Sequence, residues 1–380
     1  MNTQGAGTLN LLSANILVTG GAGFIGSNFV RHVFEKTDFK GKLINYDKLT
    51  YAGNLANLSD IKNKFGGRNY FFEHGDIKDF ENVNKIFDKY NINVVVHFAA
   101  ESHVDRSIFG PKDFIETNVN GTFSMLEIAR QVWTNRNNVR FHHISTDEVY
   151  GSLGDTGFFY ETTPYDPRSP YSASKAGSDH LVRAYFHTYG LPVTISNCSN
   201  NYGPYHFPEK LIPLIILNAS EGKPLPIYGD GKNVRDWLYV EDHCEAIWQI
   251  LVRGRTGETY NIGGECEMQN IEVVKKICDI LGKLYPLKDN RVIQNLKVKI
   301  QNYSDLITFV RDRPGHDRRY AINCDKLKNE LGWKQQHSFE DGLKNTIEWY
   351  LGNAAWINNI RSGEYSKWID KNYSTRESGT

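Results

Sequence analysis

Short apolar runs alternate with amphipathic segments along the first half of the chain. Runs rich in Val, Ile, Leu and Phe predict strands at residues 15–20, 42–46, 70–73, 94–98, 139–145 and 192–196. Between them, apolar residues recur at helical spacing in residues 27–36, 83–90, 119–132 and 171–189. Apolar strands that alternate with helices are typical of a parallel sheet covered on both faces. The pattern therefore predicts an α/β fold built on a doubly wound parallel sheet.

This alternation ends near residue 197. Pro and Gly interrupt the chain at residues 201–204 and 222–226, which indicates a less regular region. At about 150 residues per domain, a chain of 380 residues favours two domains. We expect residues 1–196 to form the first domain and residues 197–380 a smaller, mixed α/β substrate domain. Returns to the sheet are expected, for example at residues 258–262.

The charge balance narrows the class of partner. Lys and Arg together number 44, and Asp and Glu also number 44, so the net charge is zero. Proteins that bind nucleic acid or anionic membranes normally carry a positive field, so we expect a small-molecule partner, no nucleic acid and no membrane. No run approaches about 18 apolar residues, and residues 1–15 lack the features of a signal peptide. We therefore expect a cytoplasmic protein.

The cysteines give no sign of a metal site. They are odd in number and dispersed, with no Cys-x-x-Cys pair and no His/Cys cluster at ligand spacing. We expect no metal and five reduced thiols, at Cys198, Cys244, Cys266, Cys278 and Cys324.

Three glycines follow the first predicted strand. Gly20, Gly23 and Gly26 form Gly-x-x-Gly-x-x-Gly before a helix, where backbone amides can approach a pyrophosphate. An ordinary turn between strand and helix would also explain them. Asp47 ends the second strand 21 residues after Gly26, near the spacing of a carboxylate that holds a ribose diol. Such a carboxylate repels a 2′-phosphate, so a Rossmann-type site for NAD is favoured over NADP, although Lys48 weakens that preference.

Asp76 follows the third predicted strand and admits two interpretations. Its carboxylate would lie near the adenine of a bound dinucleotide. Alternatively, it would cap the N-terminus of the next helix. The sequence leaves both open.

A phenol and an ammonium lie four residues apart at a predicted helix start. Tyr171 and Lys175 therefore share one helix face. A free phenol has a pKa of about 10, and a nearby cation lowers it by roughly 1–3 units. Tyr171 is thus a candidate base near neutral pH. A surface helix pair is the alternative, because Tyr-x-x-x-Lys also arises by chance.

These motifs together resemble the extended short-chain dehydrogenase/reductase superfamily. Residues 145–151 read Ser-Thr-Asp-Glu-Val-Tyr-Gly, which resembles the hallmark of its nucleotide-sugar 4,6-dehydratases. Related epimerases lack the Asp-Glu pair at this point. Further segments resemble that family between about residues 15 and 350, at residues 97–105, 199–204, 208–211, 235–237 and 311–317.

The resemblance implies a lyase that converts dTDP-glucose to dTDP-4-keto-6-deoxyglucose and water on tightly bound NAD. Tyr171 would take the C4 hydroxyl proton while NAD accepts hydride, and Thr146 would hydrogen-bond the developing oxygen anion. Loss of water across C5 and C6 needs a carboxylate and a carboxylic acid, roles expected of Glu148 and Asp147. The hydride then returns to C6. Such products serve deoxysugar biosynthesis, often that of rhamnose.

The resemblance also implies a set of contacts. Besides the glycine loop, Tyr171 and Lys175, the expected NAD contacts are Phe24, Ile25, Asp47, Lys48, Asp76, Ile77, Ala99, Ala100, Ser102, Thr117 and Asn201. The expected substrate contacts are Ser102, Thr146, Asn200, Lys210, Leu211, Arg235, Asn270, Asp312, Arg313 and His316. A homodimer is expected, with helices at residues 119–132 and 171–189 at the interface.

Several alternatives remain open from the residues alone. UDP- and CDP-glucose dehydratases can share the same catalytic groups, and one methyl group on the base is worth only about 1–3 kcal/mol of discrimination. A UDP-sugar 4-epimerase or decarboxylase would share the nucleotide loop, Tyr171 and Lys175, but Asp147 argues against both. An NAD-binding protein without chemistry would keep the reactive residues by accident. For arginines in residues 311–319, a solvated basic loop is the alternative to a diphosphate site.

Overall fold

The computed structural model describes residues 9–295 and 300–361. Its strands are β1 (Asn15–Thr19), β2 (Lys42–Asp47), β3 (Tyr70–His74), β4 (Val94–His97), β5 (Arg140–Thr146), β6 (Val193–Cys198), β7 (Asn200–Tyr202), β8 (Leu225–Tyr228), β9 (Val234–Tyr239), β10 (Thr259–Ile262), β11 (Glu267–Gln269) and β12 (Ile307–Val310). Every strand predicted in the first half is present, and its ends differ by at most two residues from the prediction.

Helices separate most of these strands. They are α1 (Phe24–Lys36), α2 (Ser59–Phe65), α3 (Phe80–Tyr90), α4 (Val104–Phe109), α5 (Pro111–Phe114), α6 (Thr122–Val132), α7 (Pro170–Tyr189), α8 (Leu211–Ser220), α9 (Val240–Arg253), α10 (Asn270–Leu284), α11 (Arg291–Gln294), α12 (Asp325–Leu331), α13 (Phe339–Gly352) and α14 (Ala354–Arg361). Within residues 9–295 and 300–361, every helix is too short or too polar to cross a bilayer.

Seven strands form one parallel sheet in the order β10-β6-β5-β4-β1-β2-β3. Parallel neighbours require crossover connections, and the helices supply them. The chain order reverses between β1 and β4, which is the point where doubly wound sheets open a crevice. The predicted Rossmann-type fold is confirmed, including the return near residue 260, since β10 pairs with β6.

Both faces of this sheet are covered by apolar side chains. On one face α1 and α9 pack through residues such as Phe29 and Ile247. On the other, α6 and α7 contribute residues such as Leu126 and Val182. Burial on both faces explains why these strands read as nearly continuous apolar runs rather than as alternating ones.

The second region packs beside the carboxyl edge of the sheet around its own apolar core. It is formed by β7, β8, β9, β11, β12, α8, α10, α11, α13 and α14. Helices α8, α10 and α13 bury Ile216, Ile277 and Ile347 there. Strand β9 lies at the centre of a small mixed sheet, parallel to β7 and antiparallel to β11. A separate parallel pair joins β8 to β12.

The helix predicted at residues 119–132 has an irregular beginning. A π-helix over Ile115–Gly121 runs directly into α6. Within it, the Asn118 side chain accepts from the backbone N–H of Glu101 and donates to its carbonyl. The π-helix thus ties the loop after β4 to the helix layer, and π-helical turns are frequent beside functional sites.

Candidate active site

A cleft of about 370 Å³ opens at the carboxyl edge of the seven-stranded sheet. Parallel strands bring their carboxyl ends to one edge, so residues distant in sequence meet there. All the predicted cofactor and catalytic residues line it: Gly20, Gly23, Phe24, Ile25, Gly26, Asp47, Lys48, Asp76, Ile77, Ala99, Ala100, Ser102, Thr117, Thr146, Asp147, Glu148, Tyr171, Lys175 and Asn201. Asn200, Lys210 and Leu211, predicted to bind substrate, line it as well.

The glycine loop leaves the N-terminus of α1 open to a ligand. A Cβ on Gly26 would lie 2.3 Å from the carbonyl oxygen of Gly20, so only glycine fits there. Gly20 itself has a φ of 71° and lies against Ala99. Gly23 is the N-cap and carries no side chain to bond the first-turn amides. These amides, with the helix dipole, suit a pyrophosphate, so the loop fits a dinucleotide such as NAD.

Asp47 is held in a fixed orientation beside this loop. It is the last residue of β2, and its two carboxylate oxygens accept from the backbone N–H groups of Ala22 at 2.9 Å and Leu49 at 2.8 Å. Burial raises its pKa, while these hydrogen bonds lower it. The carboxylate therefore lines the cleft next to the pyrophosphate cradle, as the spacing in the sequence predicts for a ribose ligand.

Asp76 forms an ion pair at the same end of the cleft. Its carboxylate lies 2.9 Å from Lys48 Nζ and accepts from the backbone N–H of Lys78. The cap of α3 is Asp79, whose side chain accepts from the N–H of Asn82. The alternative interpretation of Asp76 as that helix cap is therefore wrong.

Asp147 and Glu148, the acidic pair, directly follow the end of β5. Thr146 is the last residue of the strand, and its hydroxyl accepts from the backbone N–H of Glu148 at 3.3 Å and donates to Asp147 at 3.4 Å. Asp147 is 2% exposed. Its Oδ2 is buried and has no hydrogen-bond partner among the residues that the structure describes. This oxygen is available to a group that enters the cleft.

The two carboxyl groups differ in what surrounds them. Burial and the neighbouring Glu148 carboxylate raise the pKa of Asp147 well above its usual range. Burial also raises the pKa of Glu148, but Arg313, Lys210 and Arg235 oppose this effect. The environment thus favours a protonated acid at Asp147 and makes an ionised carboxylate more accessible at Glu148.

Tyr171 and Lys175 lie on the first turns of α7. Ser169 caps the helix through a capping box with Ser172, which fixes where the helix begins. Burial, and then the Glu148 carboxylate, raise the pKa of Tyr171 well above its usual range. Lys175 Nζ donates instead to the carbonyl oxygen of Ile144 at 2.7 Å. The predicted depression of the Tyr171 pKa is therefore wrong, because burial and the nearby carboxylates raise it.

The second region brings cations toward the acidic pair. Arg235 is buried on β9, with its guanidinium 4.2 Å from the centre of the Tyr320 ring and its Nη2 donating to the carbonyl of Asp317. Arg313 Nη1 lies 3.6 Å from Asp105. Lys210 Nζ donates to the carbonyl of Ser102 at 3.2 Å.

The other predicted substrate residues are also in this region. Asn270 begins α10, and its Oδ1 is buried without a hydrogen-bond partner in residues 9–295 and 300–361. His316 Nδ1 and Asp312 Oδ1 are hydrogen-bonded at 2.6 Å, and burial lowers the His316 pKa to about 4, so the imidazole is neutral near pH 7 and donates. By contrast, Arg318 and Arg319 form ion pairs with Asp230 and Glu267, so the solvated interpretation fits Arg318.

Three residues at the cleft, Tyr51, Arg106 and Glu209, were not singled out from the sequence. The Arg106 guanidinium lies 3.7 Å from the centre of the Tyr51 ring and donates to Glu209 at 3.0 Å, and both Tyr51 and Glu209 line the cleft. Glu209 precedes Lys210, so its segment carried a usable signal. Arg106 is 103 residues from Glu209 in the chain, and only tertiary packing brings the two together.

Cysteines and metal ligands add little to the site. All five cysteines are free thiols, and Cys198 lines the cleft beside Asn200. In the part of the chain that the structure describes, no three His, Cys, Asp or Glu side chains are grouped as a metal site requires.

Comparisons with known proteins agree with this geometry. A dTDP-glucose 4,6-dehydratase of Salmonella typhimurium is 55% identical over 376 residues, covering 95% of this chain and 99% of the relative. The crystal structure of dTDP-glucose 4,6-dehydratase from Bacillus anthracis in complex with NAD has a TM-score of 0.79 at 47% identity, covering 92% of this chain and 100% of that one. The corresponding enzyme of Streptomyces venezuelae, with NAD and TYD bound, has a TM-score of 0.80 at 45% identity, covering 90% and 98%. The family model described as GDP-mannose 4,6 dehydratase matches residues 17–346, and the chain belongs to that family.

Proposed function

We propose that the chain converts dTDP-glucose to dTDP-4-keto-6-deoxyglucose and water with bound NAD. The observation that carries this proposal is the acidic pair, Asp147 and Glu148, in the same cleft as Tyr171 and the glycine loop. An enzyme that only oxidises and reduces a sugar hydroxyl has no use for two further acid–base groups. The named relatives, similar over almost their whole length, support the same reaction.

NAD supplies a hydride acceptor that later returns the hydride to the sugar. The amides of the Gly20–Gly26 loop and the start of α1 would hold the pyrophosphate, and Asp47 would accept from the adenosine ribose. Lys48, Asp76 and Ile77 would contact the adenosine. The other proposed cofactor residues line the same cleft: Phe24, Ile25, Ala99, Ala100, Ser102, Thr117, Asn201, Tyr171 and Lys175.

Tyr171 accepts the proton of the sugar C4 hydroxyl as the first step. Without a ligand, burial holds its phenol protonated. The positively charged nicotinamide ring of oxidised NAD, placed near the phenol, would lower that pKa, so that Tyr171 would release its proton to solvent and act as a base. Thr146 donates to the C4 oxygen as negative charge develops there.

The acidic pair then removes water across C5 and C6. The C4 ketone acidifies the C5 proton, and Glu148 takes it, because three cations counter the effect of burial on this carboxyl group. Asp147, held protonated by burial and by Glu148, donates its proton to the C6 hydroxyl oxygen as that oxygen leaves as water. The opposite environments of two adjacent carboxyl groups thus account for their separate tasks.

The second region recognises the nucleoside diphosphate. Arg235 and Arg313 offer planar donor groups that suit phosphate oxygens, and Lys210 adds a third positive charge. The orphaned Oδ1 of Asn270 supports a polar contact with the substrate. Asn200, Leu211, Asp312 and His316 complete the proposed substrate site.

We also propose that the protein is a homodimer in the cytoplasm. The helices expected at the interface expose large apolar side chains, Phe123 at 46% and Tyr189 at 56%, and the π-helix that precedes α6 exposes Ile115 at 47%. Exposed apolar groups on neighbouring helices are typical of an interaction surface. Sedimentation of the purified protein should give the mass of two chains, and a monomer would contradict this part.

Product analysis tests the reaction itself. The purified protein, given dTDP-glucose and no added reductant, should form the 4-keto-6-deoxy sugar without net accumulation of reduced NAD. Formation of dTDP-galactose would instead indicate an epimerase. Parallel rates on dTDP-, UDP- and CDP-glucose determine the base, and a higher kcat/KM for UDP- or CDP-glucose would replace the thymidine assignment.

A further inference from the structure

A buried group of polar side chains lies next to Lys175. Asp179 follows Lys175 by four residues on α7 and continues the stripe that begins at Tyr171. Asp179 and His143 are both fully buried, and Lys175 is 4% exposed. None of the steps proposed above uses Asp179 or His143.

The His143 imidazole lies between the two charged groups. Its Nε2 is 3.2 Å from Asp179 Oδ1 and 3.4 Å from Lys175 Nζ. A proton on Nε2 would be donated to Asp179, whereas an unprotonated Nε2 would accept from Lys175. The one nitrogen cannot do both at once, so in each form the imidazole hydrogen-bonds one of the two groups and lies against the other.

Asp179 has the hydrogen bonds of an ionised carboxylate. Its Oδ2 accepts from Ser145 Oγ at 2.8 Å and from the Tyr165 hydroxyl at 2.9 Å. The Tyr165 oxygen in turn accepts from Arg183 at 2.9 Å. These donors and His143 lower the pKa of Asp179 despite its burial. A fully buried anion thus lies one helical turn from a fully buried cation.

A buried ammonium requires such an anion, because desolvation strongly disfavours a lone charge. The titratable groups that face Lys175 come from four elements: His143 on β5, His97 on β4, Cys198 on β6, and Tyr171 and Asp179 on α7. Burial raises the pKa of the Cys198 thiol and of the Tyr171 phenol and lowers that of both histidines, so these four stay neutral. Asp179 is the one ionised acid among them.

We propose that Asp179 is a positioning residue, the counter-ion whose charge keeps Lys175 in its charged form across the intervening His143 imidazole. The positive charge on Lys175 then acts on the bound cofactor and on the phenol of Tyr171. This inference rests on the proposed function for its kinetic consequence, but the charge of Lys175 can also be followed without turnover.

The decisive variant is Asp179→Asn, which removes the charge and keeps the size. Burial already lowers the pKa of Lys175 to about 8, and loss of the Asp179 charge lowers it further. Lys175 then loses its proton at lower pH. The basic limb of the kcat profile should therefore move to lower pH by about one unit or more, while the acidic limb stays in place. Asp88→Asn, an exposed change on α3, is the matched control and should leave the profile unchanged.

Two further measurements keep the proposal falsifiable. The affinity of the NAD-free protein for NAD, read from tryptophan fluorescence, should show the same shift to lower pH without any sugar present. If Asp179→Asn fails to fold, Tyr165→Phe removes one of the donors to Asp179 and should shift both profiles in the same direction by less.

The outcomes separate this inference from the proposed function. An unmodified protein that forms no keto sugar contradicts the proposed function, and the NAD titration then still tests Asp179. An Asp179→Asn protein whose kcat falls equally at every pH, with an unshifted NAD titration, would show that Asp179 only supports the structure and would overturn the inference.

Discussion

The sheet half and the second region contribute to the cleft in different ways. In the sheet half, functional residues stand where an element ends or begins: Asp47 ends β2, Thr146 ends β5 and Tyr171 begins α7. In the second region, the corresponding side chains come from segments far apart in the chain, such as Arg235 on β9 and Arg313 beyond β12. A strand end fixes where a residue lies, whereas tertiary packing alone brings the two arginines together.

The two regions also differ in the chemical roles that we propose for their residues. In the proposed mechanism, residues of the sheet half hold the cofactor and move protons, and burial raises the pKa values of Asp147 and Tyr171. The second region supplies cations that face Glu148. Variants of the sheet half should therefore change kcat or NAD binding, and variants of the second region should mainly change KM for the sugar nucleotide.

The largest effect is expected for Glu148→Gln. This variant keeps size and hydrogen bonding but removes the carboxylate that we propose takes the C5 proton. Oxidation at C4 should still occur, so reduced NAD and the 4-keto-glucose intermediate should accumulate on the protein. Removal of an acid–base group costs about 10²–10⁴ in rate. Absorbance of reduced NAD and deuterium incorporation at C5 measure the two steps separately.

Tyr171→Phe is the matched variant for this prediction. It removes the base for the first step, so neither reduced NAD nor product should form. If Glu148→Gln turned over at the unmodified rate, the elimination could not be assigned to the acidic pair.

The sequence predicted the sheet half well for a physical reason. Strand and helix periodicity is local, and the spacing from Gly26 to Asp47 spans a single strand–helix–strand unit. What it could not predict was the environment: the raised pKa of Tyr171 depends on burial and on Glu148 across the fold. The contact between Arg106 and Glu209 could likewise not be predicted, because no local sequence pattern relates residues that are 103 positions apart.

A second prediction concerns Asp47→Ala in the sheet half. The change removes a charged acceptor at the proposed ribose site, and hydrogen bonds to charged groups are worth about 1.5–3 kcal/mol, or roughly ten- to hundredfold in affinity. NAD should bind more weakly and the preference over NADP should shrink, while KM for dTDP-glucose at saturating NAD changes little. Titration of the NAD-free protein with both nucleotides measures this. Equal affinity of the unmodified protein for NAD and NADP would show that Asp47 does not bind the ribose.

A third prediction tests recognition in the second region. Arg235→Lys keeps the charge but loses the planar donor group that stacks on Tyr320, so KM for the sugar nucleotide should rise about tenfold with NAD affinity unchanged. Arg318→Lys is the matched control, because Arg318 is exposed and forms an ion pair with Asp230. Surface pairs of this kind contribute only about 0–1 kcal/mol. A similar rise of KM in both variants would mean that the effect is not local to the substrate site.

The smallest expected effect lies where the two regions meet. Trp356 on α14 donates from Nε1 to Asn57 Oδ1 at 2.7 Å, and both side chains are buried. Asn57 in turn donates to the carbonyl of Ala22 in the loop before α1, so α14 is linked through Asn57 to the loop of the proposed nucleotide site. Trp356→Phe keeps an aromatic ring but removes the donor, which should lower the free energy of unfolding by about 0.5–1.5 kcal/mol. Because the contact joins the regions, NAD should also dissociate faster, while kcat with saturating NAD stays the same. Chemical denaturation and the rate of NAD release measure these effects, and a loss of stability without faster release would confine the role of Trp356 to packing.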